Sequence, residues 1–213
     1  MKTRPVEAVL ASRNSRGNEA HTLKKSEPPS AFAKLRCDKH VGGYGFEKGS
    51  IELSIATNAG QFVARYSGKG LAELDFPKVR SARCADRTPQ RGVPAKISRW
   101  HQATVAALKN VLAGRSPKKF PPLDLSNGTT FQRNVWRALR KIQRGKTESY
   151  GEIARAVGRP KAVRAVGGAC GANPIPVLVP CHRVLAANKK LGGFSGGLNW
   201  KRKLLTREGV MFR

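Results

Sequence analysis

The stretch Ile175-Pro176-Val177-Leu178-Val179-Pro180-Cys181-His182-Arg183-Val184 joins an apolar run to a thiol, an imidazole and a guanidinium. The apolar run predicts a rigid, buried segment that holds Cys181 at the edge of a core. A thiol attacks as its thiolate, and a neighbouring His, Arg or helix end can supply the activation that an ordinary Cys lacks. Cys181 is therefore a candidate nucleophile, with an inert buried thiol as the alternative.

The chain is strongly basic. Its 213 residues include 41 Lys or Arg and 13 Asp or Glu, which gives a net charge of +28. The excess is steepest over residues 123–213, where 18 basic side chains face 4 acidic ones. A charge of this size favours a polyanionic partner, most simply nucleic acid, and the alternative is a solvated basic surface without a specific partner.

The cysteines and the apolar segments bound the class of protein. Four cysteines are scattered without the spacing of a metal site, although a zinc site built from Cys37 and His40 with Cys84 or His101 remains an alternative. No run approaches the length of a membrane span, and the start of the chain lacks the apolar core of a signal peptide. We expect a soluble intracellular protein with reduced thiols, no membrane partner and no metal.

Residues 1–128 divide into three parts by pattern. Residues 1–45 are polar and predict a disordered basic arm, with an organelle transit peptide as the alternative. Residues 46–120 predict a small α/β domain, and residues 121–128, with two prolines, a linker. Within that domain the pattern predicts strands at 51–55, 61–66 and 71–76, a loop at 77–94, and a helix at 97–112 that Gly114 ends.

Residues 129–213 predict a mostly helical domain. Thr130 is the expected N-cap of a helix at 131–142, and Ser149 and Glu152 predict a capping box at the start of a helix at 150–157. Further helices are expected at 161–170 and 198–208. The two short helices around the Gly158 turn are typical of a helix-turn-helix. The small residues of the second helix fit either close approach to DNA or tight packing inside the protein.

Five blocks in fixed order resemble the O6-alkylguanine-DNA alkyltransferases, also called methylated-DNA–protein-cysteine methyltransferases. The resemblance is strong over residues 129–213, weaker over 50–128, and does not cover 1–45. Each block is short, but their order and spacing together are specific. The blocks are Arg164-Ala165-Val166-Gly167-Gly168-Ala169, Gly171-Ala172-Asn173-Pro174-Ile175-Pro176, Pro180-Cys181-His182-Arg183-Val184, Phe194-Ser195-Gly196-Gly197-Leu198 and Leu204-Leu205-Thr206-Arg207-Glu208-Gly209.

The resemblance implies both a fold and an activity. The fold class is α+β: a small N-terminal ribonuclease H-like α/β domain, then a mostly helical C-terminal domain with a winged helix-turn-helix. Members bind double-stranded DNA containing alkylated guanine through the minor groove and flip the damaged base into a pocket. One cysteine accepts the alkyl group of O6-methylguanine, or more weakly of O4-methylthymine, irreversibly and once per molecule.

The same resemblance implies no cofactor and a monomer. It also implies a location with the DNA, at the nucleoid of the cytoplasm in a bacterium or in the nucleus of a eukaryote.

The resemblance also assigns catalytic roles residue by residue. Cys181 matches the alkyl acceptor, His182 the water-linked base that removes the thiol proton, and Glu208 the carboxylate that orients the imidazole. This is the nucleophile, base and orienter arrangement of other activated nucleophiles. Tyr150 matches the hydroxyl that helps to protonate guanine at N3. Asn173 matches the side chain that braces the turn before the active-site segment.

Other matched positions imply contacts with DNA and with the flipped base. Arg164 matches the side chain that fills the space left by the flipped base, and Arg183, Ala165 and Gly168 match residues at the DNA. The positions matching the guanine pocket are Val184, Ser195, Phe194, Pro176 and Cys170.

Three positions depart from the family pattern, and two other functions remain open. Phe194 stands where many members have Tyr, Gly193 stands at an often polar position, and Cys170 replaces a larger apolar residue, which affects the room for bulky alkyl groups. A non-catalytic protein that binds lesions is the first alternative. A cysteine hydrolase, which would turn over, is the second.

Overall fold

The computed structural model describes residues 50–77 and 92–213, which lie in one compact unit, Lys39–Arg213. The predicted arm at 1–45, most of the predicted loop at 77–94, and three members of the suggested zinc set lie outside the described residues. The described chain is α+β, with a small sheet and several helices. None of its helices combines the length and apolar character needed to cross a membrane.

The first part of the described chain is an antiparallel sheet of three strands in the order β1-β2-β3, covered by helix α1. The alternating pattern predicted these strands, and in β2 every second side chain from Phe62 to Tyr66 is buried. On the opposite face, Arg65 pairs with three carboxylates, those of Glu52, Glu73 and Asp75. The bounds are β1 Ile51–Thr57, β2 Gly60–Tyr66, β3 Leu71–Asp75 and α1 Ala95–Leu112.

The second part is mostly helical and contains a further pair of very short strands. The four helices agree with the predicted ones to within two residues at the N-terminal ends and three at the C-terminal ends. The bounds are α2 Thr130–Leu139, β4 Glu148–Ser149, α3 Tyr150–Ala156, α4 Val163–Gly171, β5 Val184–Leu185 and α5 Leu198–Arg207.

Two capping boxes fix the starts of α2 and α3. At α3 the predicted box is confirmed: Ser149 Oγ accepts from the Glu152 amide at 3.2 Å, and the Glu152 carboxylate accepts from the Ser149 amide at 2.6 Å. At α2 the predicted N-cap, Thr130, is wrong by one residue. Thr129 caps instead, because its hydroxyl accepts from the amide of Gln132, whose side chain accepts from the Thr129 amide in return.

The parallel pair β4–β5 brings the start of α3 beside the Cys181 segment. Glu148 pairs with Val184, and Ser149 with Leu185. The residue after β4 is Tyr150 and the turn before β5 is Cys181–Arg183. Because the pair is parallel, Tyr150 and the Cys181 turn lie at opposite ends of a ribbon that is only two residues long.

A cluster of aromatic rings joins the sheet to the segment that leads into α5. Phe76, just after β3, lies 5.6 Å from the ring of Phe194 and 5.0 Å from that of Trp200. A Cβ atom on Gly196 would lie 2.5 Å from the Phe76 ring, so only glycine fits there. The chain just after β3 therefore packs against residues 194–200 through Phe76 and supports that segment.

Candidate active site

Cys181 opens a 3₁₀ turn, Cys181–Arg183, and is 4% exposed. The side chain of Asn173 braces the segment before it. Its Nδ2 donates to the carbonyl of Val179 at 2.8 Å and to Cys181 Sγ at 3.1 Å, and its Oδ1 accepts from the Ile175 amide. Val177, between these contacts, has φ of 72°, which is strained for a β-branched residue. The turn is therefore held rigidly with the thiol fixed against an amide donor.

Burial governs the thiol's protonation. It raises the pKa of Cys181 to about 11, although the Asn173 amide and the nearby Lys201 ammonium favour the thiolate. The second buried thiol, Cys170, has its pKa raised to about 12, first by burial and then by the charge of Cys181. Cys181 is thus a protonated thiol in the resting protein, and its use as a nucleophile requires a base.

His182 and Glu208 form the buried acid–base pair next to that thiol. The Nε2 atom of His182 lies 3.1 Å from Glu208 Oε1, and both residues are buried. Burial would raise the pKa of Glu208, but hydrogen bonds from His182 and Arg183 lower it to about 2. Burial lowers the pKa of His182, so the imidazole is neutral. Because the carboxylate can only accept, Nε2 carries the proton and Nδ1 keeps a free lone pair.

The Nδ1 atom of His182 is the one buried side-chain nitrogen or oxygen in the described part of the chain without a hydrogen-bond partner. A buried polar group without a partner is costly and marks a site of function or of bound water. The imidazole therefore presents an available proton acceptor in the residue adjacent to the thiol.

Arg183, which is predicted to contact DNA, belongs to the same hydrogen-bond network as His182 and Glu208. Its Nε and Nη2 atoms donate to the Glu208 carboxylate at 2.9 and 2.7 Å, and its Nη1 donates to the carbonyl of Ile142 at 2.7 Å. A guanidinium that donates two hydrogen bonds to one carboxylate in this way fixes the carboxylate in place. Arg183 therefore holds Glu208 where Glu208 meets His182, and its contact with DNA stays a prediction.

Tyr150 is the first residue of α3 and is half-buried. Burial raises the pKa of its hydroxyl, and the charges of Cys170 and Cys181 raise it further, so it stays protonated. Gly192 is packed close to it: a Cβ atom there would lie 3.1 Å from the hydroxyl oxygen. Because the charge of Cys181 acts on this hydroxyl, the two candidate catalytic groups lie in the same region, and the predicted role of Tyr150 as a donor to guanine stays a prediction.

The predicted pocket residues differ in burial. Val184, Pro176 and Cys170 are buried, whereas Ser195 is exposed and Phe194 is half-buried. The Phe194 ring stands edge-on to the His182 imidazole, with 6.5 Å between centroids. Phe194 supplies an apolar wall without the hydroxyl of a Tyr.

Lys201 is a site residue that the sequence analysis missed. It is fully buried, and its ammonium donates to the carbonyls of Val184 at 2.7 Å, Leu191, and Gly193 at 3.3 Å. Burial lowers its pKa to about 8, against the opposing effect of the charges on Cys181 and Cys170. Lys201 lies three and four residues before Leu204 and Leu205, so it shares their inward-facing side of α5. That spacing was the signal in the sequence that could have found it.

Comparison with known proteins identifies the family of the chain. Residues 130–210 match the family described as "6-O-methylguanine DNA methyltransferase, DNA binding domain". A methylated-DNA–protein-cysteine methyltransferase from Haemophilus influenzae is 36% identical over 159 residues, covering 72% of this chain and 83% of that protein. The chain belongs to the methylated-DNA–protein-cysteine methyltransferases. A second methyltransferase of this name, from Mycolicibacterium paratuberculosis, is 46% identical over 134 residues, covering 62% of this chain and 81% of its own.

Solved structures of such methyltransferases share the fold. A crystal structure of Mycobacterium tuberculosis OGT in complex with DNA superposes with a TM-score of 0.58 at 40% identity, covering 73% of this chain and 90% of that one. A methyltransferase structure from Methanococcus jannaschii gives a TM-score of 0.53 at 27% identity. The α+β fold of this methyltransferase is thus the fold of its relatives.

The outer face of α4 is a further feature of this methyltransferase. Arg164, Ala165 and Gly168 are exposed, and Arg164 makes no hydrogen bond or ion pair with any other described residue. A Cβ atom on Gly167 or Gly168 would meet nothing within 4 Å. The small residues on this face are therefore not required by packing inside the protein.

No group of three or more His, Cys, Asp or Glu side chains within residues 50–77 and 92–213 is placed to hold a metal ion. His101, one member of the suggested zinc set, instead lies with its Nδ1 atom 3.1 Å from the Tyr66 hydroxyl.

Proposed function

We propose that the protein repairs DNA by transferring the methyl group of O6-methylguanine, or more weakly of O4-methylthymine, to Cys181, irreversibly and once per molecule. The observation that carries the proposal is the Glu208-bound imidazole of His182. Its free Nδ1 belongs to the residue next to a buried thiol whose pKa is about 11. A thiol that is protonated at rest, next to a neutral base of fixed tautomer, is arranged for attack on a substrate carbon.

The transfer step conserves atoms and charge as follows. The Cys181 proton passes to Nδ1 of His182, by way of water as the family resemblance implies, and Glu208 stabilises the imidazolium that forms. The sulfur lone pair then forms a bond to the methyl carbon as the bond from that carbon to guanine O6 breaks. The product is a thioether, which the family resemblance implies is not reversed, so each molecule of the protein would act once.

The electron pair left on guanine requires a proton. The Tyr150 hydroxyl, whose pKa is raised chiefly by burial, is the proposed donor to N3 of the leaving base. Phe194 and Val184 are proposed as walls of the guanine pocket, and Ser195 as a polar contact at its mouth.

Double-stranded DNA is the proposed partner. Three observations support it: the net charge of +28, the crystal structure of the M. tuberculosis relative in complex with DNA, and the sterically open small-residue face of α4. We propose α3 and α4 as part of a winged helix-turn-helix that approaches the minor groove of the duplex, with the N-terminal α/β part as its ribonuclease H-like companion. Arg164, free of partners in the described chain, would fill the space of a flipped base.

The proposal is tested with a duplex carrying radiolabelled O6-methylguanine. The expected result is a burst of one equivalent of label per protein without turnover, which a cysteine hydrolase would not give. Cys181→Ala should abolish transfer and keep duplex binding, and Met211→Ala, whose side chain is 83% exposed, is the control that should transfer normally. Transfer by Cys181→Ala, or turnover beyond one equivalent, would refute the assignment.

A further inference from the structure

The loop 186–193 joins two proposed pocket residues, Val184 and Phe194, and is held from inside by Lys201. That ammonium donates to the carbonyls of Leu191 and Gly193, and to that of Val184. Gly192 approaches the Tyr150 hydroxyl so closely that a Cβ atom would lie 3.1 Å from the oxygen. The backbone of this loop is therefore one wall of the space beside Tyr150.

The segment 209–213, called the tail below, holds the same loop from outside. The amide of Arg213 donates to the carbonyl of Lys189 at 3.0 Å, and the amide of Val210 donates to the carbonyl of Leu205 at 3.0 Å. The side chains of Val210 and Phe212 pack on a small buried cluster that is separate from the main core, formed by Leu185, Leu191 and Leu205.

The tip of the loop has little support of its own. Residues 187–190 are exposed, and Asn188 and Lys189 adopt the left-handed region, with φ of 58° and 57°. Non-glycine residues hold such conformations only where surrounding contacts impose them. Within the loop, the backbone bonds are those between Ala186 and Lys190 and between Lys190 and Ala187. The tail supplies the remaining contact, at Lys189 itself.

We propose that the tail is a clamp that sets the width of the alkyl pocket, with Phe212 and Val210 as positioning residues for substrate size. The inference rests on the proposed transfer to Cys181 and deepens it. With the clamp in place the loop backbone stays against Tyr150, and the site suits a methyl group. Without it the loop relaxes outward, and a bulky O6-alkyl group gains room that a methyl group does not need.

The test compares two lesions in one duplex sequence, O6-methylguanine and O6-benzylguanine, so that the affinity for DNA cancels in the ratio of their transfer rate constants. Phe212→Ala should raise the benzyl-to-methyl ratio by about fivefold or more, a modest effect for pocket contacts. Met211→Ala is the matched control, because this neighbouring side chain is 83% exposed, and its ratio should stay within about twofold of wild type. Phe212→Leu should restore most of the original ratio.

Val210→Ala provides a milder variant should Phe212→Ala fold poorly, and it should shift the ratio in the same direction. Hydrogen exchange gives an independent readout: the Ala186 amide, bonded to the Lys190 carbonyl, should lose protection in Phe212→Ala and keep it in Met211→Ala. An unchanged ratio in folded Phe212→Ala and Val210→Ala would overturn the clamp. If wild-type protein transfers no methyl group at all, the proposed function fails instead.

Discussion

The imidazole of His182 and the carboxylate of Glu208 meet at 3.1 Å between Nε2 and Oε1, inside the protein. This contact fixes which imidazole nitrogen carries the proton, because a carboxylate with a pKa of about 2 only accepts. The other nitrogen, Nδ1, is then a buried acceptor without a hydrogen-bond partner in the described part of the chain. The contact joins residues 26 positions apart in the chain, and Arg183 holds it from the far side.

Glu208→Gln should slow methyl transfer by about 10²–10³-fold, since an amide can present the wrong hydrogen-bonding group to Nε2. It should also lower the free energy of unfolding by about 3 kcal/mol, because Arg183 loses its buried counter-charge. Single-turnover kinetics and urea unfolding measure the two effects. Glu52→Gln, which removes a surface partner of Arg65, should change stability by less than about 1 kcal/mol.

Glu208 also makes stability depend on pH on the acid side. Its pKa is 4.5 in the reference state and about 2 in the fold, so its contribution is present above pH 4.5 and is lost as the pH falls towards 2. The stability gap between wild type and Glu208→Gln should therefore narrow over that interval. A gap that stays constant down to about pH 3 would mean that the Glu208 charge does not stabilise the fold.

The pH profile of transfer should report the base rather than the thiol. Burial lowers the pKa of His182 and raises that of Cys181 to about 11. With free O6-benzylguanine as substrate, the wild-type rate should change by less than about twofold from about pH 7 to about pH 8 and fall at lower pH as His182 protonates. His182→Gln should instead gain about tenfold per pH unit, because only the thiolate fraction reacts. The same steep rise in wild type would exclude His182 as the base.

Substitutions of Gly168 on α4 distinguish two reasons for a small residue at that position, which are contact with DNA and packing inside the protein. Gly168→Ala should stabilise the protein by about 0.5–1 kcal/mol, because its Cβ atom meets nothing and the helix gains propensity. Gly168→Leu should keep wild-type stability and weaken duplex binding about tenfold or more, by blocking the close approach of α4 to the duplex. Gly196→Ala should destabilise the protein by about 1–3 kcal/mol, because its Cβ atom would lie 2.5 Å from the Phe76 ring. Urea unfolding measures the changes in stability, and titration of an undamaged duplex measures the changes in DNA affinity. A large loss of stability in Gly168→Leu would show that the small residue is required by packing inside the protein.

Arg164→Ala should reduce repair of duplex O6-methylguanine by about tenfold or more while leaving the reaction with free O6-benzylguanine unchanged. Only the duplex requires a flipped base and a side chain to replace it. Lys161→Ala, which removes an exposed positive charge three residues earlier, should cost both substrates less than about threefold. Equal losses on both substrates in Arg164→Ala would remove the flipping role.

Local sequence signals predicted the fold well where a few adjacent residues determine the structure. The Ser149–Glu152 capping box is one such case, because its two residues are three apart in the sequence. The alternation of β2 is another, because its buried side chains recur at every second residue. Thr129 and Thr130 are both competent caps, so the pattern misplaced the start of α2 by one residue. The β4–β5 pair has two residues per strand and no period to detect, although it joins the start of α3 to the segment that follows the Cys181 turn.

The site was predictable only in part from the residues. The adjacency of Cys181 and His182 is visible in the sequence, whereas Glu208 came from the family resemblance, because its contact spans 26 residues. The buried contacts of Arg183 and Lys201 left no signal in the charge pattern of the sequence. Sequence cannot distinguish a solvated cation from one that meets a buried carboxylate or three carbonyls, and both of these are internal.

Locating the transferred methyl group tests the central claim most directly. After reaction with a duplex containing O6-methylguanine, proteolysis and mass spectrometry should find one methyl group per protein, on the peptide that carries Cys181, as a thioether. Cys170, the other buried thiol in the described part of the chain, is the internal competitor and should remain unmodified. A methyl group on Cys170, or released methanol with both thiols intact, would contradict the account.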